Sequence, residues 1–129
     1  MGGAVTFRRR ARGHKRPSWQ RGVMNKGEKA YADRLEALRQ RGIISAWYFE
    51  SVSFLLGPNC RFTPDFEVHD ADGFIDYHEV KANSKGRWRA EDDARVKMKA
   101  FVDKYPMRPL RVVWPKDRTY DYWHEEEIR

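Results

Sequence analysis

The spacing of apolar positions divides the chain near residue 25. Before that point Gly2, Gly3, Gly13, Pro17 and Gly22 are scattered among arginines without any period, so residues 1–24 are predicted to form a flexible, disordered arm in which Trp19 is the one large anchor. From Asn25 the period becomes helical: Tyr31, Leu35 and Leu38 recur on one stripe, Asn25 and Glu28 are spaced as a capping box, and Gly42 ends the helix. Residues 46–56, rich in aromatic and β-branched types and followed by Gly57-Pro58-Asn59, are predicted to be extended. A hairpin follows, with Phe62 to Val68 as its first arm, Asp70-Ala71-Asp72-Gly73 as its turn and Phe74 to Lys81 as its second arm. Asn83 to Arg89 is a polar, basic loop. A second helix is expected at about 91–105, where Ala94, Met98, Phe101, Val102 and Tyr105 share a stripe and Pro106 ends it. Leu110 to Trp114 is a short strand, and residues 116–129 form a mixed tail. The order helix, three strands, helix, strand predicts an α/β domain over residues 25–115, a central mixed sheet flanked by helices whose last strand is reached by a helical crossover.

Composition agrees with one compact domain, since 129 residues at 40% hydrophobic and 14% aromatic are too apolar for a disordered chain. The longest apolar runs, such as Phe54-Leu55-Leu56, fall far short of the ~18 residues that span a bilayer, so a soluble protein without membrane partners is expected. Charge changes the picture more. Residues 1–27 carry eight basic and no acidic residues, whereas the other 102 carry 18 basic and 19 acidic ones, so the net charge of +7 belongs to the arm. Such an arm binds a polyanion by releasing its counterions, or serves as a solubilising tail or a transit signal. The apolar stretch of a secretory signal is missing, and a single cysteine, Cys60, excludes an intrachain disulfide framework; a cytoplasmic setting is expected. No zinc-type Cys/His spacing, nucleophile elbow, phosphate-binding loop or dinucleotide fingerprint is present.

Candidate chemistry sits on the hairpin. With a period of two, Glu79 and Lys81 project from one face of their strand and His78 and Val80 from the other, while Asp65, after Pro64, shares a face with Glu67; Phe62, Phe66 and Val68 share the opposite one. Pairing about the Asp70–Gly73 turn brings Asp65 across from Glu79, so that two carboxylates meet one ammonium. A same-face ion pair on a solvated sheet is the alternative account of Glu79 and Lys81. Glu28 completes a capping box, yet its position three residues before Tyr31 and seven before Leu35 aims it at the core, where a carboxylate needs a partner. Asp92 and Asp93 suit the positive end of the second helix. His78, turned away from Glu79, is structural.

An inward Glu28, then Pro64-Asp65, then Glu79-Val80-Lys81, then a second helix with Lys97, resembles the PD-(D/E)XK nuclease superfamily, and more closely the phage endonucleases of the endonuclease I type that resolve branched DNA. The likeness covers residues 26–114. It implies a restriction-endonuclease-like core and a Mg²⁺-dependent (or Mn²⁺-dependent) endodeoxyribonuclease acting on branched or double-stranded DNA, in a phage protein of the bacterial cytoplasm. Asp65, Glu79, the Val80 carbonyl and Glu28 would hold metal, and Lys81 would orient the attacking water. Three carboxylates and one ammonium leave a charge of −2, which one divalent cation balances. The family often has glycine after the lysine, where Ala82 stands here. Arg8, Arg9, Arg10, Arg12, Lys15 and Arg16 of the arm, with Lys85, Arg87, Trp88, Arg89 and Lys97, are the expected DNA contacts; Trp88 either stacks on a base or covers the second helix, and Lys97 and Lys99 either touch phosphate or form a solvated face. Paired incisions at a junction would need two copies, hence a homodimer. A non-catalytic nucleic-acid-binding protein, or a nicking nuclease or ribonuclease, is the alternative.

Overall fold

The computed structural model describes residues 22–129, so Arg8, Arg9, Arg10, Arg12, Lys15, Arg16 and Trp19 lie outside the described residues. Helix α1 (Lys26–Gln40) begins with the expected capping box: Asn25 Oδ1 accepts from the Glu28 amide at 2.8 Å and Glu28 Oε1 accepts from the Asn25 amide at 2.9 Å. It ends in a Schellman motif, in which Gly42 at φ +77° lets its own amide reach Arg39 O and the Ile43 amide reach Leu38 O, both at 3.0 Å.

Next come β1 (Ile44–Phe49), β2 (Phe54–Gly57), β3 (Cys60–Phe62), β4 (Phe66–Asp70), β5 (Ile75–Val80), β6 (Ala82–Ser84), β7 (Arg87–Arg89), α2 (Asp92–Lys104), β8 (Leu110–Pro115) and β9 (Trp123–Ile128). The main sheet has the order β1-β4-β5-β8-β9; only β5 and β8 run parallel, and the chain between them contains α2, the crossover helix. The protein is therefore α/β with a mixed five-stranded sheet. Tyr31, Leu35, Phe66, Val68 and Val113 pack on the α1 side, and Tyr77, Met98, Phe101, Leu110, Val112 and Trp114 pack on the α2 side. Adjacent residues such as Val112 and Val113 thus feed different clusters, as a strand covered on both faces requires. No helix among the described residues is long and apolar enough to cross a membrane.

Four expectations need correction. The predicted first hairpin arm is broken. Phe62 belongs to β3, which pairs with β2, and β4 starts only at Phe66. Phe62 packs against Phe101 of α2 with ring centroids 5.1 Å apart, whereas Phe66 packs with α1, so the two do not share a face. Pro64, which has no amide to donate, sits in the break. Residues 46–56 likewise form two strands, because the chain turns at Glu50, held at φ +48°. The basic stretch after β5 is a tight hairpin, β6–β7, whose turn residues Lys85 and Gly86 both have positive φ (+56° and +85°). Finally, the expected tail supplies β9, which pairs antiparallel with β8 from Leu110↔Ile128 to Pro115↔Trp123. Its acidic run gave no strand signal, since an edge strand can leave Glu125 and Glu127 in solvent.

Candidate active site

The registers of β4 and β5 create the site. Phe66 pairs with His78, so one step further toward the start of β4 Asp65 stands opposite Glu79, as the turn predicted. The two acids hold each other by their neighbours' backbones: the Asp65 amide donates to Glu79 Oε1 at 3.0 Å, and the Val80 amide donates to Asp65 Oδ2 at 2.8 Å. Each carboxylate is thereby oriented by the strand that carries the other. Lys81, whose amide donates to Val113 O at 2.9 Å, places its Nζ 3.4 Å from Glu79 Oε2. Val80 turns to the α1 side, and a Cβ added at Gly27 would stand 3.7 Å from its side chain, so the start of α1 rests on this strand end. That contact brings Glu28 in, close enough for its charge to act on the Asp65 carboxyl.

The electrostatics follow from burial. Desolvation pushes the Asp65 carboxyl well above its usual range, and the charges of Glu79 and Glu28 push it further against the opposing pull of the Val80 amide and Lys81. Desolvation also raises Glu79, with Lys81 and the Asp65 amide resisting, and raises Glu28, with the Asn25 amide resisting. Three acids here have one ammonium between them, which is a donor set short of positive charge.

A fourth acid joins them. Glu50 is buried, its amide donates to Asp65 O at 2.8 Å, its Oε1 accepts from the Gly22 amide at 3.2 Å, and its charge raises Glu28. Left-handed backbone at a glutamate is uncommon and costs of order 1 kcal/mol, so the surroundings impose it. Sequence reading passed over Glu50, although it is the one charged residue between Ile43 and Leu56.

Glu50, Asp65, Glu79 and Lys81 line an open cleft of about 890 Å³, together with Arg61 to Thr63, Arg89 and the first turns of α2 through Lys97. Compared with known proteins, the chain matches no family model, no curated protein and no solved structure. The site is read from its own geometry.

Of the remaining candidates, Arg89 and Lys97 line the cleft. Lys85 and Arg87 are exposed on the β6–β7 hairpin. Trp88 is 8% exposed, its Nε1 donates to Glu126 Oε1 at 2.9 Å, and the Arg95 guanidinium lies 4.1 Å from its ring centroid. It covers the second helix, and its buried face leaves no room for a stacked base. His78 lies on the α1 side with Nδ1 2.7 Å from Tyr31 Oη, in accord with a structural role.

The oxygens at this site suit a hard divalent cation, since carboxylates are ligands that Mg²⁺ or Mn²⁺ takes. Among the described residues, however, no three Asp, Glu, His or Cys side chains converge as a ready-made cage. The reciprocal backbone bonds occupy oxygens that a cation would share. The donor chemistry fits.

Proposed function

We propose that this protein is a divalent-metal-dependent endonuclease that hydrolyses DNA phosphodiester bonds on a restriction-endonuclease-like core, with branched DNA as its preferred substrate class. The observation that carries this reading is the Asp65–Glu79 pair, cross-braced by the Asp65 and Val80 amides, with the Lys81 ammonium 3.4 Å from Glu79 in an open cleft. Asp65 and Glu79, with Glu28 and the Val80 carbonyl, are the groups that would hold Mg²⁺, and Glu50 adds a fourth carboxylate beside them. When bound, that ion supplies Lewis-acid stabilisation of the phosphate and a more acidic water.

The chain's own residues do the rest. Lys81 offers an ammonium to the negative charge that builds on the phosphate and positions a water beside Glu79. Asp65 and Glu79 are pre-oriented by backbone bonds, so no side-chain freedom is lost when substrate enters. Glu28, anchored by its capping box, keeps the start of α1 against the site. Paired cuts at a junction require two copies of this site, which makes a homodimer part of the proposal.

The test is Mg²⁺-dependent cleavage of a synthetic four-way junction and of a linear duplex by the protein, by Asp65→Ala and by Lys81→Ala. Cleavage by the parent that is lost in both variants supports the assignment, and cleavage that survives both discards it. The absence of a ready-made cage among the described residues favours a second reading, a non-catalytic nucleic-acid-binding protein. That reading requires no cleavage with any metal and an unchanged melting midpoint on adding Mn²⁺.

A further inference from the structure

The lining of the cleft carries cations with no ion-pair partner among the described residues. Arg61 on β3, Arg89 on β7 and Lys97 on α2 line it, and Arg87 lies two residues before Arg89 on the same exposed face of β7. None of the four has an ion-pair or hydrogen-bond partner among the described residues, whereas Arg39 and Arg111 are each paired with a nearby glutamate. The acids on the same walls are accounted for locally: Glu91 and Asp93 flank the start of α2, where negative charge suits the helix dipole, and Asp93 Oδ1 accepts from the Ala94 amide at 2.9 Å.

Both walls are fixed to the core rather than hung on loops. On the β2–β3 side, Phe54 and Phe62 pack on Phe101 at 4.8 and 5.1 Å, and Tyr105 Oη donates to Leu55 O at 2.7 Å. On the β6–β7 side, Trp88 is buried, Trp114 Nε1 donates to Gly86 O at 3.2 Å, and Asn83 Nδ2 donates to Pro115 O at 2.8 Å. Alternation on β7 follows from this: burying Trp88 turns Arg87 and Arg89 outward together, roughly 7 Å apart, close to the spacing of successive phosphates along a stacked strand.

We infer that Arg61 on one wall and Arg87, Arg89 and Lys97 on the other form a rigid two-sided clamp for a DNA backbone, gripping it on both sides of the phosphate presented to Asp65 and Glu79. This rests on the nuclease reading for which phosphate is presented, and on the unpaired cations alone for the binding. Preformed walls lose little conformational entropy on binding, and each phosphate they neutralise releases counterion. Because the cations stand above a floor of acids, strand placement depends on them and not on the floor.

The experiment measures binding of a fluorescein-labelled linear DNA duplex to the full chain by anisotropy in EDTA, over roughly 50 to 300 mM KCl. Variants are Arg61→Ala, Arg89→Ala, Lys97→Ala and the Arg61→Ala/Arg89→Ala double. Arg41→Ala is the control, at the far end of α1, about 20 Å along the helix from Glu28. Each cleft substitution should reduce the slope of log K against log salt by about 0.9 and weaken binding about fivefold near 0.15 M salt, and the double should lose twice that slope. Slopes equal to that of Arg41→Ala would overturn the clamp, as would a loss confined to one wall. Arg61 and Arg89 are exposed and Lys97 is half-buried, and far-ultraviolet circular dichroism checks that the variants fold; charge-conserving Arg61→Lys and Arg89→Lys should restore most of the slope, and failure of both to do so would overturn the electrostatic role. Cleavage is scored separately with Mg²⁺. Slopes that fall in a protein that never cleaves uphold the clamp and refute the nuclease reading; cleavage with unchanged slopes does the reverse.

Discussion

Replacing Asp65 by asparagine should make the metal-free protein more stable while abolishing its response to divalent cations. The amide side chain keeps the shape of Asp65 and retains a carbonyl oxygen for the Val80 amide, which donates to Oδ2 at 2.8 Å, but it removes the charge that Glu79 and Glu28 oppose. Because burial and like charge raise the Asp65 carboxyl in the folded state, folded protein binds a proton more tightly than unfolded chain, which releases it above the ordinary value of 3.8. Stability therefore falls as pH rises from that value toward the raised one, and stays low above it. The limiting slope is about 1.4 kcal/mol per pH unit for one group, or roughly 5 °C per unit in a domain of this size. Carboxyls lowered by partners, such as Asp76 beside His78, act in the opposite sense, so the informative quantity is the difference between variant and parent. Thermal unfolding followed by circular dichroism in EDTA from pH 4 to 8 should show the Asp65→Asn variant gaining on the parent as pH rises. Saturating Mn²⁺, at about a hundred times its dissociation constant, should raise only the parent, by about 2.7 kcal/mol. Asp65→Ala separates charge from hydrogen bonding, because it strands the Val80 amide at a cost of about 1 to 3 kcal/mol and should melt below Asp65→Asn. A difference that is flat with pH, or an Asp65→Asn variant that still responds to Mn²⁺, would refute the reasoning.

Trp88→Ala should cost about 3 to 5 kcal/mol in urea unfolding, because it empties a core site and frees Glu126 and Arg95; a loss near zero would contradict its burial. Asn25→Ala should cost about 1 kcal/mol through the capping box and, by loosening Glu28, should diminish the Mn²⁺-induced rise in melting point. Tyr31→Phe leaves His78 Nδ1 without the hydroxyl now 2.7 Å away, and should cost about 1 to 2 kcal/mol with cleavage unchanged, since both side chains lie on the α1 side. Glu50→Gly relieves the left-handed backbone at φ +48° yet removes a cleft carboxylate; equilibrium unfolding should show little net loss of stability while Mg²⁺-dependent cleavage falls.

Much of the candidate site was legible because its parts are local. The Asn25–Glu28 spacing contains the capping box, and the apolar stripe through Tyr31 and Leu35 turns Glu28 inward. A period of two puts Glu79 and Lys81 on one face and His78 on the other, and the Asp70–Gly73 turn sets the register that brings Asp65 to Glu79. Glu50 was not legible, because nothing near it in the chain says that the strand turns there and that its amide meets Asp65 O. Trp88 was ambiguous for a similar reason: Glu126 and Arg95, which hold it, are distant in sequence or on another element.

The amino-acid order alone determined the two helices, the period and direction of β4, β5 and β8, and the placing of charge on faces, since each follows from steric and hydrogen-bonding rules that act within a few residues. Only the tertiary structure decided which hairpin claimed Phe62, that Trp123–Ile128 closed the sheet beside β8, and that Glu50, Asp65 and Glu79 share one cleft with Arg61, Arg89 and Lys97. Those outcomes depend on which partner offers the larger apolar burial and unpaired amides, and such competition is settled between segments far apart along the chain.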